Sequence, residues 1–430
     1  MGQSARSFLS QFVAAAGLSV AILSTVSSVS ASAQAIDSAR IAELERRLEA
    51  VTRELERLSL GLDVVQADSS IMGLGPAASK VYQVTQGVSI GGYGEILYEG
   101  FADTREDGSP ATSLDAIDAL RAIVYFGYKF DDRLLFNSEV EIEHANEAYL
   151  EFAYLDYMLT ETVGVRGGLL LAPLGLVNEL HEPPVFIDAK RSFTENRIIP
   201  TTWRENGIGL FGNGETLTWR VYVMNSLNGA GFNASGLRGG RQRGTRALAE
   251  SLGLAARADY VGTPGFAAGV SAFYGGTGQG RVLNGVEVTG NLLVWDAHLA
   301  YQTRGFDLRA LVAGASLNDA AELNQLNNLT GAAGVGDGML GWYVEGGYDV
   351  LSGVNTPHQL QPFARYEKAN SQDSMVPGNT AGPGNDIRAI SLGLAWRPAP
   401  QVVLKVARQL ISNGASTGTD QWNGQLGWLF

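Results

Sequence analysis

The 430-residue chain contains no cysteine and only four histidines, His144, His181, His298 and His358. Without cysteine no disulfide framework holds the chain together. Scattered histidines without thiols also remove the ligand spacing of a zinc or haem site, so no metal and no cofactor is expected. Charged residues make up 17% of the chain, below the roughly 25% of ordinary soluble domains. That shortage leans towards a surface facing lipid. Beyond the first residues no apolar run approaches the roughly eighteen residues of a membrane-spanning helix. The net charge of −13 argues against a nucleic-acid partner.

The first thing present is an export signal. Arg6 is the one charged side chain in residues 1–35, an apolar stretch runs from Phe12 to Leu23, and small residues end in Ala33-Gln34-Ala35. This reads as a secretory signal peptide cleaved after Ala35, with Ala33 as an alternative. Its loss takes Arg6 and moves the net charge from −13 to −14. Residues 36–68 read as a periplasmic coiled coil, with Ile41, Leu48, Leu55 and Leu62 at heptad a and Leu44, Val51, Leu58 and Val65 at d. Glu43 with Arg47, and Glu49 with Arg53, add pairs four residues apart on the exposed face. Valine at two d positions favours a trimer over a parallel dimer; a single helix lying on the protein is the alternative. Residues 69–80, carrying Gly73, Gly75 and Pro76, read as a flexible link. Residues 81–430 read as one barrel domain.

In that domain apolar residues alternate with a period of two. One face of 215–224 is Leu217, Trp219, Val221 and Val223, and one face of 422–430 includes Trp422, Leu426, Trp428 and Phe430. A soluble sandwich also alternates, so connection lengths decide. About sixteen strands emerge, with tight turns such as Asp131-Asp132, Asn213-Gly214 and Arg304-Gly305 at every second connection. The others are long, including 100–117, 173–205, 227–248, 316–337 and 369–385. Short turns on one rim and long loops on the other, with an even count, predict an all-β, transmembrane antiparallel barrel of about sixteen strands with both ends on the periplasmic side. Closure is also how strands satisfy their backbone groups in lipid.

A barrel of this size is wide enough for an aqueous channel. Strand alternation points Arg121, Arg166, Arg220, Arg257, Arg309, Arg365 and Lys405 into the lumen, with Glu139, Glu141, Glu143, Glu147 and Glu151 across from them. Such facing charges set ion selectivity if they are not paired with one another. The connection 173–205 is too long for filler and reads as a constriction loop, with Glu182, Lys190, Arg191, Arg197, Trp203 and Arg204 as its working residues. Packing among the outer loops is the alternative. Arg238, Arg241, Arg243 and Arg246 in the next loop draw anions by focusing, or bind lipopolysaccharide phosphates, or are solvated. A hydrolase needs Ser and His on one exposed rim; Ser138 and His144 are the nearest such pair, and alternation turns both to lipid. An enzyme is therefore not expected.

The stretches PLGLVNELHEPP at 173–184, IIPTTWRE at 198–205 and EAYLE at 147–151, with the terminal Phe430, resemble the phosphate-selective porin O and P family over roughly residues 81–430. The resemblance implies a trimeric sixteen-stranded porin whose inward loop and lumen arginines and lysines conduct anions, some relatives carrying an N-terminal periplasmic coiled coil. The expectation is thus a passive outer-membrane channel for small hydrophilic solutes, favouring phosphate or small carboxylates. Its partners would be outer-membrane lipid and lipopolysaccharide, two further copies of itself, and the cell wall through the coiled coil. A barrel acting mainly as an envelope tether is the alternative, and a plugged lumen would separate the two.

Overall fold

The computed structural model describes residues 43–44, 46–49 and 70–430. The signal peptide and most of the heptad segment lie outside them. The chain divides into two units, 1–59 and 60–430. In the first, the described residues are helical, Arg47 pairs with Glu43 at 3.0 Å, and Leu44 and Leu48 are exposed.

In the second, sixteen antiparallel strands close on themselves. Those before the longest connection are β1 (Gly87–Phe101), β2 (Ala116–Lys129), β3 (Leu134–Glu143), β4 (Glu147–Met158) and β5 (Val163–Leu171). Then follow β6 (Arg204–Asn213), β7 (Leu217–Asn225), β8 (Leu252–Thr263) and β9 (Phe266–Gly276). A small hairpin of β10 (Val282–Leu283) and β11 (Val286–Glu287), which alternation does not reveal, sits in the next outer loop. The barrel continues with β12 (Asn291–Thr303), β13 (Phe306–Leu317), β14 (Gly338–Tyr348), β15 (Gln359–Ser374), β16 (Asp386–Ala399), β17 (Val402–Asn413) and β18 (Gln421–Leu429).

Local chemistry fixes the short turns. Asp131 accepts from the amides of Arg133 at 2.7 Å and Leu134 at 2.8 Å, and Arg304 and Gly305 both take positive φ, as a two-residue hairpin of this hand requires. Closure pairs Tyr93 with Leu429, and Phe430 exchanges both backbone bonds with Gly92 at 2.9 and 3.0 Å. The outer surface carries an apolar band of residues such as Val124, Leu155, Ile208, Val270, Val344 and Val406. Exposed aromatics flank it: Tyr128, Tyr157, Tyr301, Tyr348 and Trp396 near the short-turn rim, and Tyr98, Tyr274, Tyr366 and Trp422 towards the long-loop rim. That is the outside of a transmembrane barrel.

Two segments fill much of the lumen. One is the connection 172–203, with the short helix Thr194–Arg197 and with Leu174, Ile187, Ile198, Ile199 and Trp203 fully buried. The other corrects the expectation of a flexible link at 69–80. Residues 71–84 are folded inside, where Leu74, Ala77, Ala78 and Val81 are buried. The glycines are there for close approach: a Cβ on Gly73 would lie 1.5 Å from the Arg220 guanidinium, and one on Gly75 2.4 Å from the Glu182 carboxylate. Ser79 Oγ accepts from the Ile71 amide at 2.8 Å and donates to the Gly75 carbonyl at 2.8 Å, closing the segment on itself.

A register shift between Glu139 and Val140 against β4 turns both Glu151 and Phe152 inward, each about 1% exposed. Before the shift Glu147, Tyr149 and Glu151 share the lumen face; Glu147, paired in register with Glu143, stands exposed at its rim and is not part of the cavity lining.

Candidate functional site

Most of the strand cations have partners. Arg121 pairs with Glu95 and donates to Tyr93 Oη at 2.9 Å. Arg166 holds Asp156 at 2.8 Å, Arg220 lies 3.2 Å from Glu179, and Arg257 holds Asp259 at 2.8 Å. Arg309 pairs with Asp307 at 2.9 Å, and Arg365 with Asp188 at 2.8 Å and Glu367 at 3.1 Å. Cations that face carboxylates at this range neutralise them, so these six form compact pairs.

Several of these groups also tie the inserted loop to the wall. Arg257 donates to Gly175 O at 2.5 Å, Arg309 to Val185 O at 2.7 Å and Arg365 to Lys190 O at 2.8 Å. Lys405 Nζ reaches the carbonyls of Pro183 and Phe186 at 2.8 Å and of Asp188 at 2.9 Å. Glu195 accepts from the amides of Leu176 at 2.6 Å and Val177 at 2.8 Å and from Tyr343 Oη at 2.8 Å. These contacts hold the loop against β8 to β17 and leave room beside β1 to β4.

The room left is a cavity of about 270 Å³. It is lined by Arg121, Lys190, Arg191, Arg204, Arg238, Arg241 and Arg243, against the carboxylates Glu95, Glu141, Glu143 and Glu151. The inserted loop and the following outer loop, separate in sequence, meet here. Arg241 donates to Thr202 O at 2.6 Å, and Arg191 to Thr202 Oγ1 at 3.0 Å. Lys190 pairs with Glu99, and Arg204 with Glu151 at 2.7 Å. Among the described residues Arg191, Arg238, Arg241 and Arg243 make no ion pair. Burial, and then repulsion from Arg191 and Arg243, lowers the Arg238 pKa to about 10. Burial with repulsion from Arg238 and Arg243 takes Arg241 to about 9. Arg191 is lowered by burial and by Arg121. All remain cationic at neutral pH, in a place where an anion would relieve their repulsion.

One step deeper, His181 Nδ1 donates to Asn178 O at 3.0 Å and Nε2 lies 3.3 Å from Glu139. Burial lowers the His181 pKa to about 4. Glu182 accepts from the Ala77 and Ala78 amides at 3.1 Å, clamping the inserted segment to the loop. Burial raises its pKa to about 7.

Other expected residues lie elsewhere. Arg197 reaches Asn385 at 3.4 Å, away from the cavity lining. Arg246 is exposed, and Trp203 packs on Phe273 with ring centroids 4.8 Å apart. Ser138 donates to Phe126 O at 2.8 Å, and His144 lies 2.5 Å from Asp118 at the rim. Each thus has its own partner. Among the residues that sequence reasoning missed are Glu95 and Thr202 in the cavity lining, the loop carboxylates Glu179 and Asp188, and the clamp partners Ala77 and Ala78.

The chain is 36% identical over 390 residues, 87% of each chain, to an uncharacterised protein of Aquifex aeolicus (strain VF5). It belongs to that protein's family. No family model matches the chain. Among solved structures, a loop-deleted form of OmpT, an outer membrane protein of Vibrio cholerae, superposes with a TM-score of 0.52 at 9% identity, over 80% of this chain and 100% of that one. Outer-membrane expressed OmpT of Vibrio cholerae gives 0.50 at 9% identity, over 80% and 97%. At such identity the likeness establishes the barrel fold.

Proposed function

We propose that the chain is an outer-membrane porin, working as a homotrimer with its N-terminal segment in the periplasm, that passes small anions along the basic side of its lumen. One observation carries the reading: in a lumen where most strand cations are paired, the loop residues Arg191, Arg238, Arg241 and Arg243 line a cavity and, among the described residues, make no ion pair. Fixed cations in a confined, poorly polarisable space attract anions more strongly than in bulk water. Several weak sites in a row, none of them a deep trap, let an anion move on. The residues that resemble the phosphate-selective porin O and P family support phosphate or small carboxylates as solutes. The mature protein in a planar bilayer under a salt gradient should show an anion-sided reversal potential. Arg238→Gln with Arg241→Gln should move it towards zero.

The segment 71–84 inside the lumen favours a second reading, a barrel whose main task is to tether the envelope through its N-terminal coiled coil. On that reading the intact protein conducts nothing, and removing the segment is what opens it.

A further inference from the structure

On the outside of the barrel the strands face lipid with apolar or small residues, and cations appear there at Lys368, Arg388 and Arg408 among the described residues. They sit on consecutive strands: Lys368 is opposite Arg388 in the β15–β16 ladder, and Arg408 is opposite Leu392 in the β16–β17 ladder. They cluster at the long-loop end, at the level of Tyr366 and Trp422. Burying cations on a lipid-facing wall is costly except near the interface.

Arg388 and Arg408 line a cavity of about 650 Å³ under the first outer loop, together with Arg105, Tyr366, Ile390 and Leu410. Carboxylates take part of this charge. Arg408 pairs with Asp420 at 3.0 Å and stacks on Trp422 at 5.5 Å, and Lys368 holds Asp386 at 3.3 Å. Among the described residues Arg388 has only Asp386 at 3.9 Å, and its side chain is 57% exposed; Arg105 bonds Thr112 at 3.5 Å. Two guanidiniums therefore keep donors to spare. Below, an apolar furrow of about 700 Å³ runs down the outer faces of β13 to β16 and shares Tyr366 and Ile390 with the upper cavity. Gly346 and Ala364 leave it open, with Leu308 and Val344 along it.

We infer that this is a binding site for one phosphorylated lipid of the outer leaflet, its headgroup phosphate between Arg105, Arg388 and Arg408 and an acyl chain in the furrow. A cationic cup continuous with a greasy groove fits that class of ligand at both ends, and guanidinium forks match phosphate oxygens. A partner subunit would cover the furrow but has no need of the cup.

The test is native mass spectrometry of the full mature chain in neutral detergent, titrated with phosphatidic acid or with phosphatidylcholine. The parent should retain one phosphatidic acid per chain. Arg388→Gln with Arg408→Gln should weaken retention roughly thirtyfold. Arg105→Gln, in a loop outside the barrel, should weaken it alone and guards against a folding defect. Heat-modifiable mobility on gels checks that each barrel is closed. Equal retention by parent and variants, or no preference over phosphatidylcholine, overturns the proposal. So does loss of oligomer mass with lipid retention unchanged, which makes the face a subunit interface.

Discussion

Replacing Lys405 with Met should release the inserted loop without opening the barrel. Lys405 is 1% exposed, its ammonium spans three carbonyls of the loop at 2.8, 2.8 and 2.9 Å, and it lies 4.0 Å from the centre of the Phe186 ring. Each hydrogen bond to a charged group contributes about 1.5–3 kcal/mol. The single cation serving all three must also be desolvated, which costs several kcal/mol. The net loss for loop docking is therefore on the order of 3 kcal/mol, and the undocked population should rise roughly a hundredfold. Strand pairing does not depend on Lys405, so gel mobility of the folded barrel should stay as it is. Single-channel records should turn noisy, with a larger mean conductance, and limited proteolysis should cut within 183–193. If conductance, noise and proteolytic protection all match the parent, the loop does not depend on this latch and the reasoning fails.

Glu182 makes the docking of residues 71–84 pH-dependent. Its pKa in the fold is raised to about 7 by burial, so its contribution to stability is full below about 4.5, the usual value for a glutamate, and is lost as pH rises through 7. The protection factors of the amides of residues 71–84, corrected for base-catalysed intrinsic exchange, should be larger at pH 5.5 than at pH 8, and Glu182→Gln should flatten that difference; a dependence of protection that survives the substitution points to another group. Deleting residues 71–84 should raise single-channel conductance, because the segment occupies lumen cross-section, and an unchanged value would place it outside the conducting path. Arg220→Gln with Arg257→Gln strips Glu179 of its two arginines and leaves Asp259 with His298 as its cationic partner, so thermal unfolding should show destabilisation of several kcal/mol; a full shift of ion selectivity at unchanged stability would mean these arginines face the solute.

The strands were legible because lipid on one side and a lumen on the other impose a period of two on every one of them, and tight turns leave sharp marks such as Arg304-Gly305. The bulge beside Glu139 was not, since without altering composition one extra residue in a ladder turns Phe152, Tyr154 and Asp156 to the lumen face that Glu147 and Glu151 already occupy. Gly73 and Gly75 read as flexibility when their purpose is contact with Arg220 and Glu182; a glycine does not say which. The inward arginines were found, but their pairing was not: Asp259, Asp307 and Glu367 stand two residues from their arginines on one strand face and could have been read from the alternation, whereas Asp188 and Glu179 arrive on a loop whose path no local pattern encodes. For the same reason Arg191 and Arg241 were read in two separate loops, and only the fold brings them to Thr202 together.

The most direct test of the account is the zero-current potential of the mature protein in a bilayer with a tenfold potassium chloride gradient, measured for the parent and for Arg238→Gln with Arg241→Gln. An anion-sided potential that falls towards zero in the variant, with the difference shrinking as ionic strength shortens the reach of the charges, is the predicted result. A cation-sided parent, or a variant indistinguishable from it, would contradict the claim that the unpaired arginines govern what passes.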